Sequence, residues 1–302
     1  MYHGLLPIWK EKGLTSHDVV FKLRKILRMK RIGHTGTLDP DVEGVLVVCL
    51  GKGTKLVETL MDSDKVYRGE VTLGYATDTE DASGQITERT RVTQSPSIES
   101  IDQAMASMVG EIDQVPPMYS AVKVNGMKLY EYARQNIPVE RPVRQVTIRS
   151  FQRLSEPIWD PVEGTCKFNF EVCCSKGTYV RTLAVDLAKR LGYSGHMSQL
   201  VRLETSGCQA EQALTLEEVE QLQATDTLTT RIVSLEQVVQ RFPQRKLNEE
   251  DAVKIQHGQV LPREYFGTPL SEPTALFFQD KVLAIYQPHP QKPDWIKPMI
   301  MF

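Results

Sequence analysis

The chain is predicted to be α+β, with a largely antiparallel sheet flanked by helices and a small, mainly β module at the C-terminal end. Three observations carry this. Tyr67, Gly69, Val71 and Leu73 alternate with Val66, Arg68, Glu70 and Thr72, which is the period of a half-buried strand. Cys166, Phe168, Phe170, Val172 and Cys174 alternate in the same way with Thr165, Lys167, Asn169, Glu171 and Cys173. Residues 274–278 and 281–286 are apolar runs flanking Gln279-Asp280, the pattern of a hairpin.

The elements follow in order. Thr15-Ser16 can cap a helix that has Asp18 in its first turn, where a negative charge suits the dipole. Val19, Val20, Leu23, Ile26 and Leu27 then recur at helical spacing. That helix leads to Gly33-His34-Thr35-Gly36-Thr37-Leu38-Asp39-Pro40, and the apolar run 45–50 follows. Glycines permit tight or left-handed turns, and proline restricts Asp39 toward an extended conformation. A constrained carboxylate on a loop between two regular elements is a candidate catalytic group, although Asp-Pro also simply begins turns.

Residues 77–84 are polar and turn-rich, and so a loop. Residues 97–110 form a helix with Ile98, Ile101, Met105 and Met108 on one side and Gly110 as its stop. The stretch 115–142 contains Pro116-Pro117 and reads as a long irregular segment; its basic residues and Tyr119, Tyr130 and Tyr132 offer phosphate contacts and stacking surfaces. After the second strand, residues 175–178 turn into a helix lined by Leu183, Ala184, Leu187 and Leu191. Arg181 falls in its first turn, where the helix dipole disfavours a cation, so it calls for an anionic partner. Thr215 with Glu218 and Ser234 with Gln237 are capping-box spacings, residues 241–248 form a polar link, and 248–258 form another capped helix. The expected division is a larger domain over 1–240, with a loop at 115–142, and a small domain over 245–302.

Composition narrows the function classes. Of 302 residues, 41% are hydrophobic and 25% charged, as in an ordinary globular protein. The apolar runs are too short for a membrane span, and the N-terminus lacks the pattern of a signal peptide. The five cysteines show neither metal-ligand spacing nor a disulfide framework, which suits a reducing cytoplasmic home. Net charge is only −2, yet six basic residues and no acid lie between Lys22 and Arg31, which suggests a basic face for a polyanion.

Taken together, the motifs resemble one family. The segment 33–40 followed by Gly44-Val45-Leu46 resembles the catalytic motif of the TruB family of tRNA pseudouridine synthases. The resemblance continues through residues 10–16, Lys65-Val66-Tyr67, residues 116–123 and residues 175–183, in the family's order over about 1–210. Glu11 departs from it, since the family often has proline there. The C-terminal segment resembles a small RNA-binding (PUA-like) module. The resemblance implies the pseudouridine synthase fold and isomerisation of the uridine at position 55 in the T arm of tRNA. The base is detached at N1, turned and rejoined through C5, without metal or cofactor, by a monomeric enzyme. It implies Asp39 as the essential carboxylate and Tyr67 as the tyrosine stacking on the target base; Asp39 is then the expected anionic partner of Arg181, itself a catalytic candidate. It further implies His34 filling the gap left by a flipped-out uridine. Lys10, Gly36, Thr37, Lys123, Tyr179 and Leu200 are the expected substrate-binding positions. Two other readings remain: a tRNA-folding chaperone with a vestigial site, and a guide-RNA-dependent synthase subunit.

Overall fold

The computed structural model describes residues 1–302. The main elements are β1 (Gly4–Lys10), α1 (Ser16–Ile26), β2 (Glu43–Leu50), β3 (Lys65–Leu73), α2 (Ile98–Ala106), β4 (Gly110–Gln114), β5 (Arg144–Arg153) and β6 (Thr165–Cys174). They continue with α3 (Val180–Arg190), β7 (Gly195–Thr205), α4 (Leu216–Ala224), α5 (Glu249–Gln256), β8 (Thr274–Phe278), β9 (Lys281–Pro288) and β10 (Trp295–Met301). The large sheet runs β1-β2-β7-β3-β6-β5-β4, with short strands attached at its margins. All these neighbours are antiparallel except β7 and β2, which run parallel through Val201 opposite Glu43 and Arg202 opposite Gly44. The α+β, largely antiparallel reading holds.

The alternation in β3 and β6 directs Tyr67, Val71, Leu73, Phe168, Phe170 and Val172 into one core with α2 and α3. Their other face meets solvent, where Arg68 and Glu171, paired across the ladder, form an ion pair at 2.9 Å. β2 differs because both its faces are covered. Leu46, Val48 and Leu50 pack with α1 and α4, whereas Val45, Val47 and Cys49 pack against Ala275, Val282 and Ile285 of a second sheet. Burial on both faces explains why this strand reads as an unbroken apolar run.

That second sheet is built from β8, β9 and β10, with Gln244–Lys246 and Leu261–Pro262 at its edges. Gln279 and Asp280 both take positive φ in the tight β8–β9 turn, as a two-residue hairpin requires. The polar stretch after Arg241 is therefore not only a link. Gln244–Lys246 pairs with β8 as an edge strand, a position that tolerates charged side chains.

Other differences are local. The helix expected over 97–110 ends at Ala106; Gly110, at φ 109°, opens β4, and Ile98 in the first turn stays partly in solvent. The segment 115–142 is not irregular throughout. Asn125-Gly126 forms the turn between Lys123–Val124 and Met127–Lys128, and a short helix, Leu129–Arg134, follows. Tyr132 is buried inside this unit, its hydroxyl donating to the Val124 carbonyl at 2.9 Å, so it is not a stacking surface. The expected loop at 77–84 is the tip of a hairpin between Tyr75–Thr77 and Ile86–Arg89. No helix is long and apolar enough to cross a membrane.

Candidate active site

The octapeptide begins within the short strand Ile32–His34 and leads toward β2, and its backbone is fixed from several sides. The Thr35 amide donates to the Val47 carbonyl at 3.0 Å and the Leu38 amide to the Ser16 hydroxyl at 2.9 Å. Neither Gly33 nor Gly36 uses positive φ. The glycine whose backbone matters most here is Gly44, at φ 121°, where a Cβ would fall 2.2 Å from the Arg202 carbonyl oxygen. It lets β2 approach β7 closely.

Arg181, in the first turn of α3, is 6% exposed and makes the contacts its position demands. Nη2 lies 3.1 Å from Asp39 Oδ2 and donates to the Tyr119 carbonyl at 3.0 Å. Nη1 donates to the Thr79 carbonyl at 2.9 Å and lies 3.8 Å from Asp81 Oδ2. One guanidinium thus joins the octapeptide, the 77–84 hairpin tip and the base of the 115–142 segment. The Asp39 side chain remains 47% exposed and faces a cleft of about 580 Å³.

The cleft wall includes Gly36, Thr37, Asp39, Tyr67, Tyr179 and Leu200, with Arg181, Lys65 and the unforeseen Arg202. Tyr67 is buried; loss of hydration pushes its phenol pKa above the ordinary value, against the opposing pull of Arg202 directly across the β3–β7 ladder. It therefore rests as the neutral phenol at neutral pH. Tyr179 is held through its backbone: its amide donates to Gln114 Oε1 at 2.7 Å, and its carbonyl accepts from Gln114 Nε2 at 3.0 Å.

Three expected positions lie outside the cleft wall. His34 sits just beyond it, half-buried, with Nδ1 accepting from the Gly36 amide at 3.3 Å; burial, reinforced by Arg202, lowers its pKa and keeps it neutral. Lys10 is fully buried, and its ammonium donates to the carbonyls of Leu14 at 2.7 Å, Glu11 at 3.0 Å and Pro40 at 3.1 Å. It braces the residue after Asp39 rather than facing the cleft. Lys123 is exposed on the small hairpin of the 115–142 segment.

Arg202 is the main residue the sequence reading missed. It is 1% exposed, and its guanidinium donates to the carbonyls of Val45 at 2.8 Å, Gly36 at 3.2 Å and, marginally, Thr37 at 3.5 Å. Lys65 is nearly as buried and donates to Ser63 and Met61 carbonyls at 2.6 and 3.2 Å. An arginine inside the apolar-rich stretch from Leu200 to Leu203 was the available signal, because a charge in a buried strand needs a dedicated set of partners.

Comparison with known proteins fits this geometry. The model of the TruB family pseudouridylate synthase N-terminal domain matches residues 24–180, and that of the tRNA pseudouridylate synthase B C-terminal domain matches residues 181–240. The chain belongs to the TruB family of pseudouridylate synthases. This makes it a member of an isomerase family. Proteins named tRNA pseudouridine synthase B from Halalkalibacterium halodurans and Listeria innocua are each 49% identical to it, covering 98% of this chain and 96% and 97% of theirs. That of Streptococcus agalactiae is 50% identical over 95% of this chain and 96% of its own. Among solved structures, a chain in a Cbf5-Nop10-Gar1 complex superposes with TM-score 0.72 at 24% identity, covering 99% of this chain and 84% of that one. A chain of an H/ACA RNP bound to a substrate RNA does so with TM-score 0.71 at 22% identity. These two establish the TruB chain's fold.

Proposed function

We propose that this enzyme isomerises the uridine at position 55 in the T arm of tRNA to pseudouridine, as a stand-alone protein with Asp39 as the catalytic carboxylate. The observation that carries this is the Arg181–Asp39 pair. A buried guanidinium holds a half-exposed carboxylate at the cleft. The adjacent guanidinium aims that carboxylate into the cleft, which suits either covalent attack on the flipped nucleotide or stabilisation of positive charge developing at C1′. Tyr67 offers its ring to the flipped base, and its neutral hydroxyl gives or takes a proton only as part of the reaction. Leu200, Tyr179, Thr37 and Gly36 complete the enclosure of the nucleotide. His34, neutral and placed at the rim, fills the space the base vacates, offsetting part of a flipping cost of a few kcal/mol. Lys10 acts by bracing Pro40, and Lys123 contributes charge on the 115–142 segment, which closes over the stem-loop.

The relatives named tRNA pseudouridine synthase B support tRNA as the substrate. The test is tritium release from a T-arm stem-loop carrying C5-tritiated uridine, comparing the wild type with Asp39→Asn. Release by the wild type alone is expected. Release by both proteins would remove Asp39 from its role. Binding without release by either would leave an RNA-folding protein or a missing partner.

A further inference from the structure

We propose that Gln114 is a positioning residue for the isomerisation: its buried carboxamide grips the backbone of Tyr179 and so sets the Tyr179 ring in the cleft. The inference rests on the reading above, in which Tyr179 helps to enclose the nucleotide. Gln114 ends β4, where alternation turns its side chain to the same face as Ile112, which packs against the main core. An apolar residue would be the default there. Gln114 is instead 2% exposed, and a buried carboxamide is costly unless its oxygen and its nitrogen both find partners.

Both partners belong to one residue. Oε1 accepts from the Tyr179 amide at 2.7 Å, and Nε2 donates to the Tyr179 carbonyl at 3.0 Å. This is the two-bond exchange of facing residues in an antiparallel ladder, made here by a side chain. It splices the start of α3 to the edge strand of the large sheet.

The backbone at Tyr179 has need of that grip. Tyr179 is the N-cap of α3, extended at φ −94° and ψ 105°, and its side chain makes no capping bond. The turn before it is open: Gly177 takes φ 81°, and a Cβ there would meet nothing within 4 Å. From inside the helix the Leu183 amide donates to the Tyr179 carbonyl at 3.0 Å, which leaves the Tyr179 amide to Gln114. Rotation of that peptide would swing a ring that lines the cleft. Gln114 also faces Arg144 across the β4–β5 ladder, where both ends of the 115–142 segment leave the sheet. Two residues beyond Tyr179, Arg181 holds the Tyr119 carbonyl of the same segment. The first turn of α3 is thus registered to the root of the segment at two points, and Gln114 is the one that acts on the cleft tyrosine.

The experiment is a double-mutant cycle read by single-turnover tritium release at saturating enzyme, with stem-loop affinity measured alongside. Gln114→Met removes both bonds and should lower the rate about 10²-fold, the scale of a misplacement of about 1 Å, with affinity within a few-fold. Tyr179→Ala should lose as much or more. Adding Gln114→Met to Tyr179→Ala should then cost no more than about 2-fold further, because the first residue acts through the second. Losses that multiply in the double variant, or a folded Gln114→Met that turns over at the wild-type rate, would overturn the assignment. Gln114→Glu keeps the shape and an acceptor for the Tyr179 amide but loses the donor to its carbonyl. It carries the same cycle, with the same non-additivity expected, where Gln114→Met does not fold. A wild type that releases no label defeats the position-55 reading and this one together. Release by the wild type with multiplying losses defeats the role of Gln114 alone.

Discussion

Arg181 Nη2 stands 3.1 Å from Asp39 Oδ2 and 3.0 Å from the Tyr119 carbonyl, so one nitrogen links the Asp39 carboxylate to the root of the 115–142 segment. Lysine in its place could keep a charge but could not reach Asp39, Tyr119 and Thr79 at once, because it lacks the planar fork. Arg181→Lys should lower single-turnover pseudouridine formation by about 10²–10³, the scale of losing one preorganised electrostatic contact. Stem-loop affinity should stay within a few-fold. Intact turnover with weakened binding would show that Arg181 serves the RNA and not the carboxylate.

Tyr67→Phe keeps the buried ring and removes the hydroxyl. Stem-loop binding should match the wild type while turnover falls by about 10²–10⁴, the usual worth of a positioned acid or base. Unchanged turnover would leave Tyr67 with stacking alone.

Arg202 satisfies the carbonyls of Val45 and Gly36 from within the protein. Removing it leaves the buried Val45 carbonyl and the part-buried Gly36 carbonyl without this donor, at about 1–3 kcal/mol for each that water cannot reach. Arg202→Met should therefore lose about 3 kcal/mol or more of unfolding free energy in urea and lower turnover through a misplaced octapeptide. Stability within about 1 kcal/mol of wild type would mean that the loop holds itself.

His196 is 1% exposed, and its Nδ1 lies 3.0 Å from the Tyr75 carbonyl, so that nitrogen carries the proton of a neutral ring. Burial lowers its pKa from 6.5. A depressed folded-state value means that its contribution is complete above the unfolded pKa and is lost as pH falls through the folded one. Relative to His196→Gln, the wild type should lose up to about 1.4 kcal/mol per pH unit below about 6.5. Parallel stability curves for the two proteins from pH 7.5 to 5 would contradict this.

Local rules made much of this molecule legible. Thr15 caps α1 in a reciprocal box with Asp18, and Thr215 and Ser234 do the same with Glu218 and Gln237, because those bonds depend only on spacing along the chain. Arg181 could be flagged from its place on α3, and the anion it required is there. Arg202 and Gln114 were not legible in the sequence because their partners, Val45 and Gly36 for the first and Tyr179 for the second, lie far away along the chain and meet only when the sheet assembles. The small hairpin at Asn125-Gly126 was available, since that dipeptide between short strand-forming runs is a turn signal.

The second sheet covers Val45, Val47 and Cys49 on the strand that follows Asp39. A chain cut after about residue 243 would not be a trimmed enzyme with a missing accessory. It would expose a strip of apolar side chains on the strand that follows the Asp39 loop, inviting self-association through that face. The C-terminal sheet thus shares a core with the strand behind the Asp39 cleft, and heat or denaturant should dissolve both in a single transition.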